Sequence, residues 1–311
     1  MFAMFVLTWF AQTDSVVPAV LNTWQLPHLS SALVTGLEAA RQPFSLHLGP
    51  SREELTEAVE SVVREVVGQG EEVAVLTHHS GLLQVEQLLA SLQGEAHPVQ
   101  LSVLQGSDIR PELRRLRRLN TTTIVVDISS SLIKPFLEQA LQVALLQPAT
   151  TLVFTCLDFP PSAQLESVRM TEVRLVRLGL VAGLDQTEDH RAVLLRSGLH
   201  LLTSVLSSLP DLPSSQRLNC SDSDSLSSHG PDLVRQVRAA QPGVELQVVV
   251  RRGGQERQAG VFSTLTHNLT MLDNISLATW GQDELREENM KEENLSISAH
   301  ILVEDSDINH Q

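Results

Sequence analysis

Residues 122–157 read TTIVVDISSSLIKPFLEQALQVALLQPATTLVFTCL. Two apolar runs, at 122–128 and 151–157, flank a predicted helix at 131–147. Pro135 falls in the first turn of that helix, where a missing N–H costs little. Unbroken apolar runs are typical of strands that are buried on both faces. The stretch therefore predicts a parallel strand–helix–strand unit with a right-handed crossover.

The same alternation extends toward the N-terminus. Ser51 and Glu54 have the spacing of a capping box, which predicts the start of a helix at 51–68. Further strands are predicted at 73–77 and 99–104, and further helices at 82–92 and 111–119. Strand and helix thus alternate four times between residues 72 and 157, which predicts an α/β fold with a doubly wound parallel sheet.

The flanking segments are less regular. The first eleven residues, MFAMFVLTWFA, predict a buried strand rather than a signal peptide, because no Lys or Arg precedes Arg41. Toward the C-terminus we predict strands at 173–178 and 296–303 and helices at 191–209 and 231–240. A hairpin is predicted with strands at 244–251 and 261–265. Between these elements we predict a polar loop at 210–229 and an exposed acidic linker at 283–293.

Composition excludes several classes of protein. The 311 residues include 22 Lys plus Arg and 37 Asp plus Glu, so the net charge is 22 − 37 = −15. That balance argues against binding to nucleic acid or to an anionic membrane. Two cysteines are too few for a disulfide scaffold or a four-thiolate metal site. No apolar run reaches the roughly 18 residues that a membrane span needs.

Glycosylation sequons indicate the compartment. Of eight Asn residues, five begin Asn-x-Ser/Thr, whereas the 50 Ser and Thr residues predict about 8 × 0.16, between one and two, by chance. This excess predicts an extracytoplasmic, glycosylated surface. Asn120 is the candidate most at risk of burial, since a core strand follows it. The candidates are Asn120, Asn219, Asn268, Asn274 and Asn294.

Two groups of residues at strand ends are candidate sites. His78 and His79 follow a strand end, where a metal pair is possible, but a solvated loop is favoured. Cys156 ends another strand and could face an imidazole, but a small buried hydrophobic residue is favoured, with no bond to Cys220. No catalytic motif or Gly-rich phosphate loop occurs, so we expect no enzyme, no cofactor and no metal.

A basic helix is predicted at 111–119. Five arginines lie in or next to it, and Glu112 offsets part of their charge. The favoured interpretation is a solvated helix face. The arginines are Arg110, Arg114, Arg115, Arg117 and Arg118.

Read together, several stretches resemble the amino-terminal domain of ionotropic glutamate receptor subunits, most closely the kainate type. Order and spacing carry the likeness over about residues 5–304. The stretches are Leu26-Pro27-His28, residues 46–51 (LHLGPS), residues 121–127 and 152–158 (LVFTCLD), Leu218-Asn219-Cys220 with His229-Gly230, residues 244–254 with Thr279-Trp280, and residues 297–304.

The resemblance implies a two-lobed clamshell like that of type I periplasmic binding proteins. Its domain map would be a partial lobe one at 1–48, lobe two at 49–182, a return to lobe one at 183–240, a returning hairpin of lobe two at 241–280, an acidic linker at 281–296, and the start of a truncated agonist-binding domain at 297–311. It implies an extracellular domain at the synaptic plasma membrane that pairs with other receptor subunits through both lobes, and also contacts extracellular synaptic proteins.

The chain departs from this family in lobe one. The first strands and helices of that lobe are absent, as is the cysteine that the resemblance would pair with Cys220. We therefore expect an incomplete lobe one, with too few partners for the apolar face of the helix at 191–209: Leu194, Leu195, Leu199, Leu202 and Val205. The alternative function is a small-ligand-sensing ectodomain or a solute-binding protein, for which no ligand-binding residues are identified.

Overall fold

The structure is a computed structural model of the chain. It describes residues 6–8, 19, 22–23, 28–31, 43–67, 72–78, 81–92, 97–104, 108–119, 121–159, 172–180, 190–208, 230–241, 243–252 and 255–272. These residues form two separate sheets and six helices.

The large sheet contains eight strands: β4 (Glu72–His78), β5 (His97–Leu104), β6 (Thr123–Asp127), β7 (Thr151–Phe154), β8 (Arg174–Leu180), β9 (Glu245–Arg252), β10 (Gln255–Ser263) and β11 (Asn268–Met271). Their order across the sheet is β11-β10-β9-β8-β7-β6-β4-β5. Neighbours from β5 to β8 pair in parallel, whereas β8 to β11 pair antiparallel. The prediction of four parallel strands in one sheet between residues 72 and 157 is confirmed.

Helices cover both faces of this sheet. On one face, α1 (Arg52–Val66) and α2 (Val85–Leu92) bury their apolar residues against Val75 and Val125. On the other, α3 (Arg110–Leu119) and α4 (Ser130–Gln142) pack on Leu76, Ile124 and Val126. Because successive strand residues point to opposite faces, one apolar run supplies both cores. The prediction of an α/β fold is confirmed, and the sheet is mixed, with parallel strands from β5 to β8 and antiparallel strands from β8 to β11.

The helix α1 begins as predicted. The Ser51 hydroxyl accepts from the backbone N–H of Glu54 at 3.1 Å, and the Glu54 carboxylate accepts from the N–H of Ser51 at 2.6 Å. These two bonds satisfy N–H groups that the first helical turn leaves without partners. The capping box thus fixes where the chain enters the large sheet.

The small sheet has three parallel strands in chain order: β1 (Val6–Thr8), β2 (His28–Ser30) and β3 (Ser45–His47). Two helices, α5 (His190–Ser208) and α6 (Gly230–Ala240), share an apolar cluster with it. Arg238 on α6 also donates to the Ser45 carbonyl at 3.0 Å. The chain therefore leaves the small sheet after β3, builds β4–β8, returns to the small sheet with α5 and α6, and finishes the large sheet with β9–β11.

The predicted shortage of partners along α5 is wrong for four of the five residues. Leu194, Leu195, Leu202 and Val205 are buried, and only Leu199 is exposed, at 45%. Two short strands and one further helix are enough to cover most of a single helix stripe, which is why the expected loss of burial does not arise. The partners come from β2, β3 with the residue after it, and α6: Leu29, Leu46, Leu48, Val234 and Val237.

Some element bounds differ from the prediction. The helix α4 ends at Gln142 rather than residue 147, because Ala144 adopts φ 53° and the Leu145 N–H turns back to the Ala140 carbonyl. Because this helix begins at Ser130, Pro135 lies in its second turn and not, as predicted, in its first. Strand β10 starts six residues early, at Gln255, with a register shift between Gln258 and Gly260, and the edge strand β11 is not among the predicted strands.

Several predictions fall on residues outside those described. They are the loop at 210–229, the acidic linker at 281–296, the C-terminal segment at 297–311, His79, Cys220, and the sequons at Asn120, Asn219, Asn274 and Asn294.

Candidate functional site

The order of the parallel strands defines a switch point in the large sheet. From β4 the chain crosses to β5 on one side, and from β6 it crosses to β7 on the other. The connections that leave β4 and β6 therefore diverge at their carboxyl ends. In open α/β sheets this crevice is where ligands bind. The crevice is therefore the candidate site.

The crevice contains the carboxylate of Asp127, the last residue of β6, which is 0% exposed. Hydroxyls on β4 and just beyond β7 donate to it: Thr155 Oγ1 at 2.7 Å and Thr77 Oγ1 at 3.2 Å. Two backbone N–H groups complete the set, from Leu82 at 2.8 Å and Leu83 at 3.2 Å. Four donors thus satisfy a buried carboxylate that would otherwise be costly to desolvate.

The segment 81–84 is held across the crevice by these bonds. Gly81 packs so closely that an added Cβ would lie 2.2 Å from Asp127 Oδ2 and 2.9 Å from the His78 carbonyl oxygen. At the other end, the Gln84 N–H donates to Thr56 Oγ1 at 3.0 Å, and its side-chain amide donates to Glu53 at 2.5 Å. The segment is therefore tied both to β6 and to α1.

The four donors around Asp127 resemble a binding site for a carboxylate ligand. Two hydroxyls and two backbone N–H groups that converge on one point form a cradle for a carboxylate. Here the protein's own carboxylate occupies the cradle. A free ligand carboxylate would have to displace Asp127 to use the same donors.

Polar groups also gather at the start of α4. Ser130 Oγ donates to Asp158 at 2.7 Å, and Ser129 Oγ lies 3.1 Å from Ser131 Oγ. Ser129 occupies the N-cap position, but its hydroxyl does not bond to the helix backbone. These groups lie beside the crevice and are partly or fully exposed.

Two of the sequence-predicted residues lie at strand ends of the large sheet. His78 ends β4 and is half-buried, and Cys156 is buried as a free thiol beyond the end of β7. Burial raises the pKa of Cys156, and the nearby Asp158 charge acts in the same direction. A thiol held in its protonated form is a poor nucleophile. Cys156 is thus a small buried core residue, the favoured interpretation.

Other predicted residues lie away from the crevice. Asn268 is exposed as the first residue of the edge strand β11, a position open to glycosylation. All five arginines of the basic helix are exposed. Within the described part of the chain, no three His, Cys, Asp or Glu side chains are grouped so as to hold a metal ion. No helix in that part has the length and apolar character to cross a bilayer.

Sequence reasoning missed the role of Asp127. The sequence feature that could have identified it is an acidic residue at the end of an apolar strand, in the run TTIVVD. In a parallel sheet the last residue of a strand lies at the carboxyl edge, where ligands bind. The second half of the site, the backbone of Leu82 and Leu83, has no side-chain signature.

Comparison with known proteins does not extend these observations: no family model matches the chain, and neither does any curated protein.

Proposed function

We propose that the chain is an extracellular, non-enzymatic interaction domain with a two-lobed clamshell fold, of the kind found at the amino terminus of kainate-type ionotropic glutamate receptor subunits. It acts in subunit assembly and synaptic signalling. Lobe one comprises the small sheet with α5 and α6, and lobe two comprises the large sheet with α1–α4.

The path of the chain supports two lobes. It contributes β1–β3 to the small sheet, β4–β8 to the large sheet, α5 and α6 to the small sheet's cluster, and β9–β11 to the large sheet. The chain therefore passes between the two sheets three times. Repeated crossings of this kind are what the resemblance to periplasmic binding proteins implies.

The hydrogen bonding of Asp127 favours an interaction domain over a ligand sensor. A sensor of small carboxylates needs hydroxyl and backbone donors free at its crevice. In this chain the four donors at the switch point already bind Asp127. An occupied cradle favours a domain that works through its outer surface.

The helices α2 and α4, which lie on opposite faces of the large sheet, are two candidate surfaces for pairing. On α2, Glu86 and Ala90 are exposed, and on α4 the exposed residues include Lys134 and Glu138. A two-fold contact would bring the same helix of two copies together. Because it lies at the surface of a helix whose other side is anchored in the core, Ala90 can be changed without loss of packing.

Sedimentation velocity on the secreted chain tests the proposal. The wild type should show a concentration-dependent dimer, and Ala90→Arg should weaken it by about tenfold or more, since a buried charge replaces a small contact. Ala149→Arg, at another exposed alanine, just before β7, is the matched control and should leave dimerisation unchanged. A monomer at every concentration, or equal loss in both variants, would contradict pairing through α2.

The extracellular assignment has its own test. The secreted chain should shift in mobility on treatment with an N-glycosidase, and Asn268→Gln should remove part of that shift because Asn268 is exposed. Absence of any shift would contradict the compartment without bearing on the fold.

A further inference from the structure

The basic helix α3 concentrates cationic charge to an unusual degree. Five of the chain's 22 Lys and Arg residues lie within its ten residues, and all five are exposed. Leu113 and Leu116 on the opposite side are fully buried against the large sheet. Because those leucines anchor the helix, the arginine side is held toward solvent.

Local charge at α3 is opposite in sign to that of the whole chain. From residue 108 to 118 there are five Arg and two acidic residues, Asp108 and Glu112, so the local charge is 5 − 2 = +3 against −15 overall. The Debye length at physiological salt is about 8 Å, so acidic groups farther away are largely screened. This stretch of the chain is therefore locally cationic and favours an anion.

Two of the arginines are held in place. Arg110 donates to both carboxylate oxygens of Asp108, at 2.7 and 3.0 Å, and Arg117 donates to the Val143 carbonyl at 2.9 Å. The Nε and Nη2 groups of Arg110 are thus already bound to a carboxylate, whereas Arg114 and Arg118 are exposed.

The spacing favours an extended anion over a single one. Arg110, Arg114 and Arg118 recur every four residues and so form one row on the helix. At about 1.5 Å per residue, that row spans about 12 Å. Guanidinium forks bind sulfate and phosphate through paired N–H groups.

We infer that the arginine face of α3 binds a sulfated glycosaminoglycan, of the heparan sulfate type. The charge complementarity is with a linear polyanion, and the excess of glycosylation sequons favours a sulfated glycan over nucleic acid. This choice of polyanion rests on the extracellular location in the proposed function. The variants tested below leave both proposed pairing helices, α2 and α4, unchanged.

The test is surface plasmon resonance of the secreted chain on immobilised heparan sulfate oligosaccharides, at several salt concentrations. The double variant Arg114→Gln/Arg118→Gln should bind about tenfold more weakly, with a shallower dependence on salt. The matched control is Arg235→Gln/Arg257→Gln, which removes the same charge from exposed positions outside α3. Circular dichroism melting of each variant checks that the fold is retained.

The inference is supported if the control variant binds heparan sulfate more strongly than the α3 variant, and if the wild-type chain does not bind desulfated oligosaccharide. Equal weakening in both variants would overturn it, since total charge alone would then explain binding. Equal affinity for a DNA oligonucleotide of matched length would also overturn the sulfated-glycan assignment. Neither result depends on dimerisation, and the glycosidase test decides the compartment separately.

Discussion

At the scale of single residues, Asp127 links the fold to the candidate site. Its carboxylate is 0% exposed and accepts four hydrogen bonds from three parts of the large sheet's carboxyl edge: β4, the residue just beyond β7, and the 81–84 segment. Buried ionic groups of this kind are sensitive to the removal of one partner, because the donors left behind lose both water and their acceptor.

Asp127→Ala should lower the free energy of unfolding by about 3 kcal/mol or more, because four buried donors lose their acceptor and each buried unsatisfied donor costs about 1–3 kcal/mol. Asp127→Asn keeps one carbonyl oxygen and should cost less, about 1–3 kcal/mol. Urea denaturation followed by circular dichroism measures both. If Asp127→Ala is as stable as the wild type, the four bonds do not stabilise the fold.

Gly81→Ala tests the close approach of the 81–84 segment to Asp127. The added methyl would lie 2.2 Å from Oδ2, so the segment must shift, at a cost of about 1–3 kcal/mol. Gly179→Ala on β8 is the matched control, because the nearest atoms to its Cβ belong to the flexible Gln247 side chain, at 3.2 Å. A thermal melt in which both variants match the wild type would contradict the packing described for Gly81.

At the scale of elements, apolar periodicity predicted β4–β7 and α1–α4 because each apolar run lies within one buried element. It failed at element ends, which depend on backbone geometry. Ala144 ends α4 by adopting a positive φ, and an alanine in the sequence does not predict that conformation. The edge strand β11 alternates exposed and half-buried residues, so its four residues carry too weak a pattern to be recognised.

The small sheet should be sensitive to acid. His28 on β2 is fully buried, with Ser45 Oγ 3.0 Å from its Nε2, and burial lowers the pKa of His28. The unfolded chain therefore binds a proton near its ordinary pKa of 6.5, while the folded chain does so only at lower pH. Stability from neutral His28 is complete above pH 6.5 and falls as the pH drops below it, by up to about 1.4 kcal/mol for each pH unit.

Denaturant melts between pH 5 and pH 8 measure this dependence. His28→Gln should flatten the acid limb of the stability curve, and His200→Gln, at an exposed position of α5, should leave it as in the wild type. An unchanged acid limb in His28→Gln would assign the pH dependence to other groups.

At the scale of the whole molecule, sequence reasoning predicted the large sheet but expected a poorly packed remainder, because the resemblance implies further strands that this sequence lacks. The packing of α5 on β2 and β3 brings together residues that lie more than 140 positions apart in sequence, such as Leu46 and Leu194, and no local pattern encodes this packing. The Asp127 cradle was missed for the same reason, since Thr77, Leu82 and Thr155 meet only in the folded sheet.

Hydrogen exchange followed by mass spectrometry should detect both cores. Amides near Val125 should be the slowest, and those near Leu202 should be protected as well, although less, because the small cluster is the more limited of the two. Exchange at Leu202 as fast as in an unfolded peptide would show that the small sheet does not hold α5 in solution.

The proposed function, a domain that acts through its surface, rests on the crevice at the switch point, where the protein's own Asp127 carboxylate binds the four donors. Isothermal titration of the wild-type chain with L-glutamate, glycine and other small carboxylates tests it most directly. We predict no saturable heat, because Asp127 holds the four donors that such a ligand would need. Saturable binding of any one of these carboxylates, with competition from the others for the same site, would contradict the proposed interaction domain and favour a ligand sensor.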